Sequence, residues 1–259
     1  MKILPRILIT NDDGISAAGI HFLWTALKDI ADITIVAPAK EQSAVGLGIT
    51  VREPLRIEKN THFGSTPAWS VTGTPADCVK MALSKLLEKP PQMVVSGINR
   101  GSNAGRNVLY SGTVAGAIES TMRGIPSIAF SCYDFISPDY GVAAEGISYV
   151  VRHVLEHTLP SGTLLNVNFP PKIAGNIKGF KMARQGKEYW IEDPEERHHP
   201  AESHSYYWLG AKLAEFEEHE ESDVTWLRKG YVTAVPVHIG ELTDYNHLAS
   251  RKAHFEREI

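Results

Sequence analysis

Cysteine is nearly absent from this chain: only Cys78 and Cys132 occur in 259 residues. Two thiols cannot build a disulfide framework, and they form no Cys-x-x-Cys pair, so both are expected to be buried and inert in a reducing compartment. No apolar run reaches the length of a membrane span. The stretch from Met1 to Thr10 lacks a long apolar core followed by a small-residue cleavage site, so it does not read as a signal peptide and a cytoplasmic location is expected. The 26 Lys and Arg are outnumbered by 30 Asp and Glu, for a net charge of −4. A broad basic footprint for duplex nucleic acid is therefore missing, and an anionic substrate must be drawn in by local groups.

Several catalytic signatures are also missing. There is no Gly-x-Gly-x-x-Gly after the first apolar run and no Gly-x4-Gly-Lys-Ser/Thr, which argues against dinucleotide and P-loop chemistry. Without a Gly-x-Ser-x-Gly elbow an α/β-hydrolase triad is not expected. An aspartyl-phosphate enzyme of the Asp-x-Asp-Gly type needs a carboxylate two positions before Asp13; Asn11 stands there, and an amide cannot attack phosphorus. Neither cysteine leads a phosphate loop.

The chain has 43% hydrophobic and 22% charged residues, a composition that supports a folded core. Short β-rich runs (Ile7–Thr10, Ile33–Ala37, Met93–Ser96, Ile125–Ser131 and Leu164–Phe169) alternate with helical patterns. Ile20, Leu23, Trp24, Leu27 and Ile30 share one helical face; Ala76, Val79, Ala82, Leu83 and Leu86 another; Val114, Ala117, Ile118, Thr121 and Met122 a third; Ala143, Ile147, Val150, Val151 and Val154 a fourth. Continuous apolar strands between such helices predict a mainly parallel sheet covered on both faces, a three-layer α/β sandwich. A small antiparallel excursion is expected over 49–72. Residues 1–184 read as the core. Residues 185–259 read as an appendage: an extended β-hairpin arm, or a pair of long hairpins, over about 185–229, a returning strand at Tyr231–Val237 and a polar terminal helix over 244–259.

Chemistry is expected where Asn11-Asp12-Asp13-Gly14 follows the first strand. Two carboxylates about 5 Å apart repel by roughly 3 kcal/mol at an effective dielectric of 20, and a cation is the simplest relief. The competing explanation is a helix start capped by Asp13 or Ser16. In a doubly wound sheet the C-terminal strand ends share one crevice. There the second strand would offer Ser43 and the third Asn99. Carboxylates, a hydroxyl and an amide oxygen suit Mg²⁺, Mn²⁺ or Ca²⁺ better than a soft metal. A second cluster, Ser111-Gly112-Thr113, opens a small-residue helix. Its unpaired N–H groups make a phosphate cradle, with Arg100 and Arg106 close in sequence. Asn103 lies in the Gly/Asn-rich loop between. His198 and His199, preceded by Glu195 and Glu196, read as solvated surface.

Five blocks then resemble the SurE family. They are Thr10 to Ile15, Val36 to Pro38 with Gln42-Ser43, Thr72 to Val79, Val95 to Asn103, and Tyr110 to Ala117. The likeness runs to about residue 180 and resumes weakly at Ser222-Asp223 and from Gly230 to Pro236. It implies a Rossmann-like core with a divalent metal, Mg²⁺ or Mn²⁺, on Asp12, Asp13, Ser43 and Asn99. The substrate phosphate would be held at Asn103, Ser111, Gly112 and Thr113. The implied activity is hydrolysis of nucleoside 5′-monophosphates, with 3′-nucleotides and polyphosphate as further substrates. A homodimer or homotetramer joined through the C-terminal arm is implied as well. Ala39-Lys40, Ala18 and Arg106-Asn107 depart from the family pattern without touching the four metal positions. The alternative from another class is a nucleotide-binding regulatory module without turnover.

Overall fold

The structure, a computed structural model, describes residues 4–256; residues 1–3, where the N-terminal stretch begins, and 257–259, the last of the expected terminal helix, lie outside it. The first half contains β1 (Arg6–Thr10), α1 (Ala18–Leu27), β2 (Asp32–Pro38), β3 (Ile57–Lys59), β4 (Ala68–Val71), α2 (Pro75–Met81), β5 (Met93–Arg100) and α3 (Gly112–Thr121). There follow β6 (Ser127–Cys132), α4 (Tyr140–Glu156), β7 (Thr163–Phe169), β8 (Phe180–Met182), β9 (Tyr189–Ile191), β10 (Glu195–His198), β11 (Ser205–Trp208), β12 (Lys212–Ala214), α5 (Asp223–Arg228), β13 (Val232–His238) and α6 (Tyr245–Phe255). The main sheet runs β3-β4-β2-β1-β5-β6-β7-β13-β8. From β4 to β7 neighbouring strands are parallel, whereas β13 is antiparallel to β7.

The period-2 pleat assigns alternate residues to opposite layers. Ile7, Ile9, Met93 and Val95 pack with Ile20, Leu23 and Leu27 of α1 and with Ala143, Ile147 and Val151 of α4. Leu8 and Val94 face the other way, against Cys78 and Val79 of α2. Ala129 and Leu164 meet Val114 and Ala117 of α3 on that side. The result is the expected mainly parallel α/β sandwich. Cys78 and Cys132 are both free and buried.

The start of α2 follows from Thr74-Pro75-Ala76-Asp77. Thr74 Oγ1 accepts the Asp77 N–H (3.2 Å), and the Asp77 carboxylate accepts the Thr74 N–H (3.0 Å). Thr74→Ala is expected to lower stability by about 1 kcal/mol, read as a shifted midpoint with unchanged slope in urea unfolding.

Four expectations change in detail. The strand placed at Ile125 begins at Ser127, because Pro126 has no N–H to give a ladder and only its carbonyl accepts, from Val94 (3.0 Å). In the 49–72 excursion only β3 is antiparallel; β4 joins the main sheet parallel to β2. The arm is a long hairpin of two paired segments, β9 with β12 and β10 with β11. Within its expected span lies α5, six residues capped by Ser222 and too short to show a helical period. Among the described residues no helix is long and apolar enough to cross a membrane.

For the site, the placement of β1 decides most. The chain winds from β1 outward through β2 to β4, then returns across β1 to β5, β6 and β7. In such a sheet the rule places the binding crevice where that direction reverses, above the C-terminal ends of β1, β2 and β5.

Candidate active site

The turn after β1 is held by Asn11, which is buried and donates its side-chain amide to the Gly14 carbonyl (2.8 Å). The loop after β2 is laced onto it, with Gln42 N–H donating to Asp12 O and Ile15 N–H to Pro38 O, both 2.8 Å. Neither Asp13 nor Ser16 caps α1. Its N-cap is Ala17, which offers no side-chain hydrogen bond. The capping explanation for the acidic pair is thereby removed.

Asp12 is 6% exposed and accepts a hydrogen bond from the Thr113 hydroxyl on α3. The start of α3 closes over it so tightly that a Cβ on Gly112 would lie 2.8 Å from Asp12 Cβ and 2.9 Å from its Oδ2. Only glycine admits this approach. Burial pushes the Asp12 carboxyl up to about 7; the Thr113 hydroxyl opposes that rise, and the Asp13 charge adds to it. Asp13 is also raised, by burial first, while the Arg100 N–H (3.2 Å to Oδ2) and the Arg100 charge pull it down.

Asn99 and Arg100 reach this place because β5 shifts register against β6 between Ser96 and Asn99. The Asn99 amide donates to Gly101 O (2.8 Å), which turns its carbonyl oxygen the other way. Ser43 is exposed and donates to Glu41 (2.6 Å), and the same Glu41 oxygen pairs with the Arg100 guanidinium at 3.2 Å. Asp12, Gly112 and Thr113 are thus joined by direct contacts, and Asp13, next to Asp12 in the chain, is bonded to the Arg100 N–H. Asn99 is tied in beside Arg100, and Ser43 through Glu41.

Of the expected phosphate holders, Ser111 caps α3 by accepting the Val114 N–H (3.1 Å). The Ala115 N–H goes to Ser111 O. The two N–H groups ahead of these, on Gly112 and Thr113, are the ones a helix start leaves for an anion. Asn103 is buried, with its side-chain amide on Ser131 Oγ (2.7 Å) and its N–H on Asn168 Oδ1 (2.8 Å). Arg106 does not join Arg100: its guanidinium lies over Tyr189 and Phe216, 5.9 and 5.7 Å from the ring centres, at the base of the arm.

Glu41 escaped sequence reasoning, since a lone glutamate in a charged loop gives no signal; its position after β2 was the only pointer. His198 and His199 lie on the exposed arm, where His198 meets Ser205 (3.0 Å) and His199 stacks on His204. His238 meets the Thr163 hydroxyl at 3.0 Å. Among the described residues no three His, Cys, Asp or Glu side chains gather as a metal cluster. The oxygen groups at the ends of β1, β2 and β5 are the carboxylates of Asp12, Asp13 and Glu41, the Ser43 hydroxyl and the Asn99 amide oxygen.

The profile of the family described as survival protein SurE matches residues 7–192. This chain belongs to the SurE family. A 5′-nucleotidase SurE of Protochlamydia amoebophila is 56% identical over 257 residues, covering 99% of this chain and 98% of that relative. One from Heliobacterium modesticaldum is 43% identical, covering 93% and 88%. The crystal structure of the SurE protein from Aquifex aeolicus superposes with a TM-score of 0.83 at 37% identity, covering 97% of this chain and all of that one. That agreement covers the arm as well as the Rossmann-like core.

Proposed function

We propose that this chain is a metal-dependent phosphomonoesterase that hydrolyses nucleoside 5′-monophosphates to nucleoside and phosphate in the crevice above β1, β2 and β5. The name carried by relatives across almost the whole chain supports the activity. One geometric observation carries the site: the buried Asp12 carboxylate pressed against the first turn of α3. That contact supports the reading, because a cation on Asp12 and a phosphate at the start of α3 would then lie within one side chain of each other.

The residues fit a hard divalent ion, Mg²⁺ or Mn²⁺. Asp12, Asp13, Ser43 and Asn99 would hold it, and burial makes the two carboxyls reluctant to ionise without it. When bound, the ion supplies charge neutralisation and a more acidic water. The Thr113 hydroxyl fixes Asp12, and the Arg100 N–H fixes Asp13. The N–H groups of Gly112 and Thr113, with Ser111 and Asn103, take the remaining phosphate oxygens as negative charge shifts toward the leaving group. The Arg100 guanidinium, held between Glu41 and the Phe135 ring, adds positive charge at the rim. The same reading assigns 3′-nucleotides and polyphosphate as further substrates and the cytoplasm as location. It assigns the exposed Tyr207 and Trp208 of the arm to contacts between copies in a homodimer or homotetramer.

The test is phosphate release from AMP with Mg²⁺ or Mn²⁺, abolished by a chelator and restored by the ion. Binding of AMP with no release would replace this reading by a regulatory nucleotide-binding module.

Cation uptake should also be linked to protons. In the metal-free fold the Asp12 carboxyl stands near 7 against an ordinary 3.8. Its contribution to metal-free stability is therefore fully present below about pH 4 and is lost as pH rises through 7. An ion requires the ionised form, so its affinity should climb with pH to about 7 and then level. Calorimetry in buffers of different ionisation enthalpy should find about one proton released per ion at pH 6 and far fewer at pH 8. Equal release at both would refute the linkage.

A further inference from the structure

The last strand of the parallel series, β7, buries two amides, Asn166 and Asn168, among Leu164, Leu165, Val167 and Phe169; both are fully shielded from solvent. Spaced by two, they share one face of the strand. A buried amide is costly unless it is bonded, and leucine would fill the same space without that cost. Packing therefore does not account for them.

Their bonds go mainly to one loop. Asn168 Oδ1 accepts the Asn103 N–H (2.8 Å) and the Ser102 hydroxyl (3.2 Å). Asn166 donates to the Asn103 carbonyl (2.9 Å), and Asn168 Nδ2 reaches Asn166 Oδ1 at 3.4 Å. Ser102 Oγ in turn accepts the Ala104 N–H (3.1 Å). Residues 102–104 belong to no helix or strand, so their backbone groups find partners in these side chains. This loop carries Asn103 and feeds the turn that delivers Ser111 to the start of α3.

We infer that Asn168, seconded by Asn166, is a positioning residue for phosphate binding: it sets the backbone of loop 102–104, and through it the place of Asn103 in the crevice. The inference rests on the phosphomonoesterase reading for what the loop binds. Asp12, Asp13 and Ser43 lie outside this network, and Asn99 meets the loop only through the Gly101 carbonyl (2.8 Å), so the effect falls mainly on phosphate and far less on the cation.

The experiment compares Asn168→Leu with Asn168→Asp in the full, Mn²⁺-loaded protein. Calorimetry measures inorganic phosphate and Mn²⁺ affinity, and AMP hydrolysis gives KM and kcat. The leucine variant should weaken phosphate binding and raise KM by about tenfold or more, the scale on which small misplacements act, with Mn²⁺ affinity far less changed. The aspartate variant still accepts from Asn103 and Ser102 and should restore most of the phosphate affinity. Wild-type phosphate affinity in a folded leucine variant, or equal loss of Mn²⁺ and phosphate affinity, overturns the assignment. If the leucine variant does not fold, Ser102→Ala decides: it removes a half-buried hydroxyl from the same network and should weaken phosphate binding, and unchanged affinity refutes the role. Phosphate calorimetry needs no turnover. A wild-type protein that binds phosphate but leaves AMP intact would sink the enzymatic reading alone.

Discussion

Asp13→Asn is expected to lower turnover of AMP by about 10²–10³-fold, the loss that follows removal of one preorganised charge-stabilising group. The substitution is nearly isosteric, and the new amide oxygen can still accept the Arg100 N–H that Asp13 accepts at 3.2 Å. The fold should not suffer. Burial holds the Asp13 carboxyl above its ordinary range, so its ionised form is penalised in the metal-free fold at neutral pH, and a neutral amide escapes that penalty. The metal-free variant should melt at or above the wild-type temperature, while the stabilisation conferred by Mn²⁺ disappears. Thermal melts with and without Mn²⁺, beside the phosphate-release assay, check both halves. Wild-type turnover in the variant would remove Asp13 from the site.

Gly19→Ala should produce a large loss of stability. Gly19 lies in the first turn of α1, where the helix rests on the main chain of β5. An added Cβ would fall well inside contact distance of the Ile98 carbonyl oxygen and 3.0 Å from its carbon. The obstacle is backbone within a sheet, so it cannot rotate aside as a side chain would. Either α1 lifts from β5 or the 97–99 segment moves. The expected cost is about 3 kcal/mol, or roughly 10 °C in melting temperature for a chain of this size. Asn99 follows directly, so Mn²⁺ affinity should fall in the same variant. A melting temperature within about 2 °C of wild type would show that the helix start yields freely.

These two positions also illustrate what the sequence made legible. Asp13 was readable because two adjacent acids after an apolar run are costly wherever they sit. Gly19 was not, because its constraint comes from Ile98, 79 positions away and on another element. The apolar run Ile7–Thr10 was recognisable as a central strand for a related reason: both faces of the sheet are covered, so every residue must be apolar or small. Helix α4 showed its buried face through the 3.6-residue spacing of Ala143, Ile147, Val150, Val151 and Val154. By contrast, α5 has six residues, fewer than two turns, and offered no period to detect. Arg106 looked like a phosphate ligand from its neighbours in the chain, yet the aromatic rings of the arm claim it.

Periodicity, punctuation and donor chemistry were therefore set by the chain itself: a mainly parallel α/β core, a polar arm, and hard oxygen donors gathered at strand ends. They could be read because each acts within a window of a few residues, where propensity and burial leave a repeating trace. Only the folded chain decided that β13 would enter the sheet between β7 and β8, that Thr113 would bond Asp12 across 101 positions, and that Asn168 would hold the loop of Asn103. Such contacts join groups that leave no mark on one another's local sequence, because their energy is gained only once the sheet has brought them together.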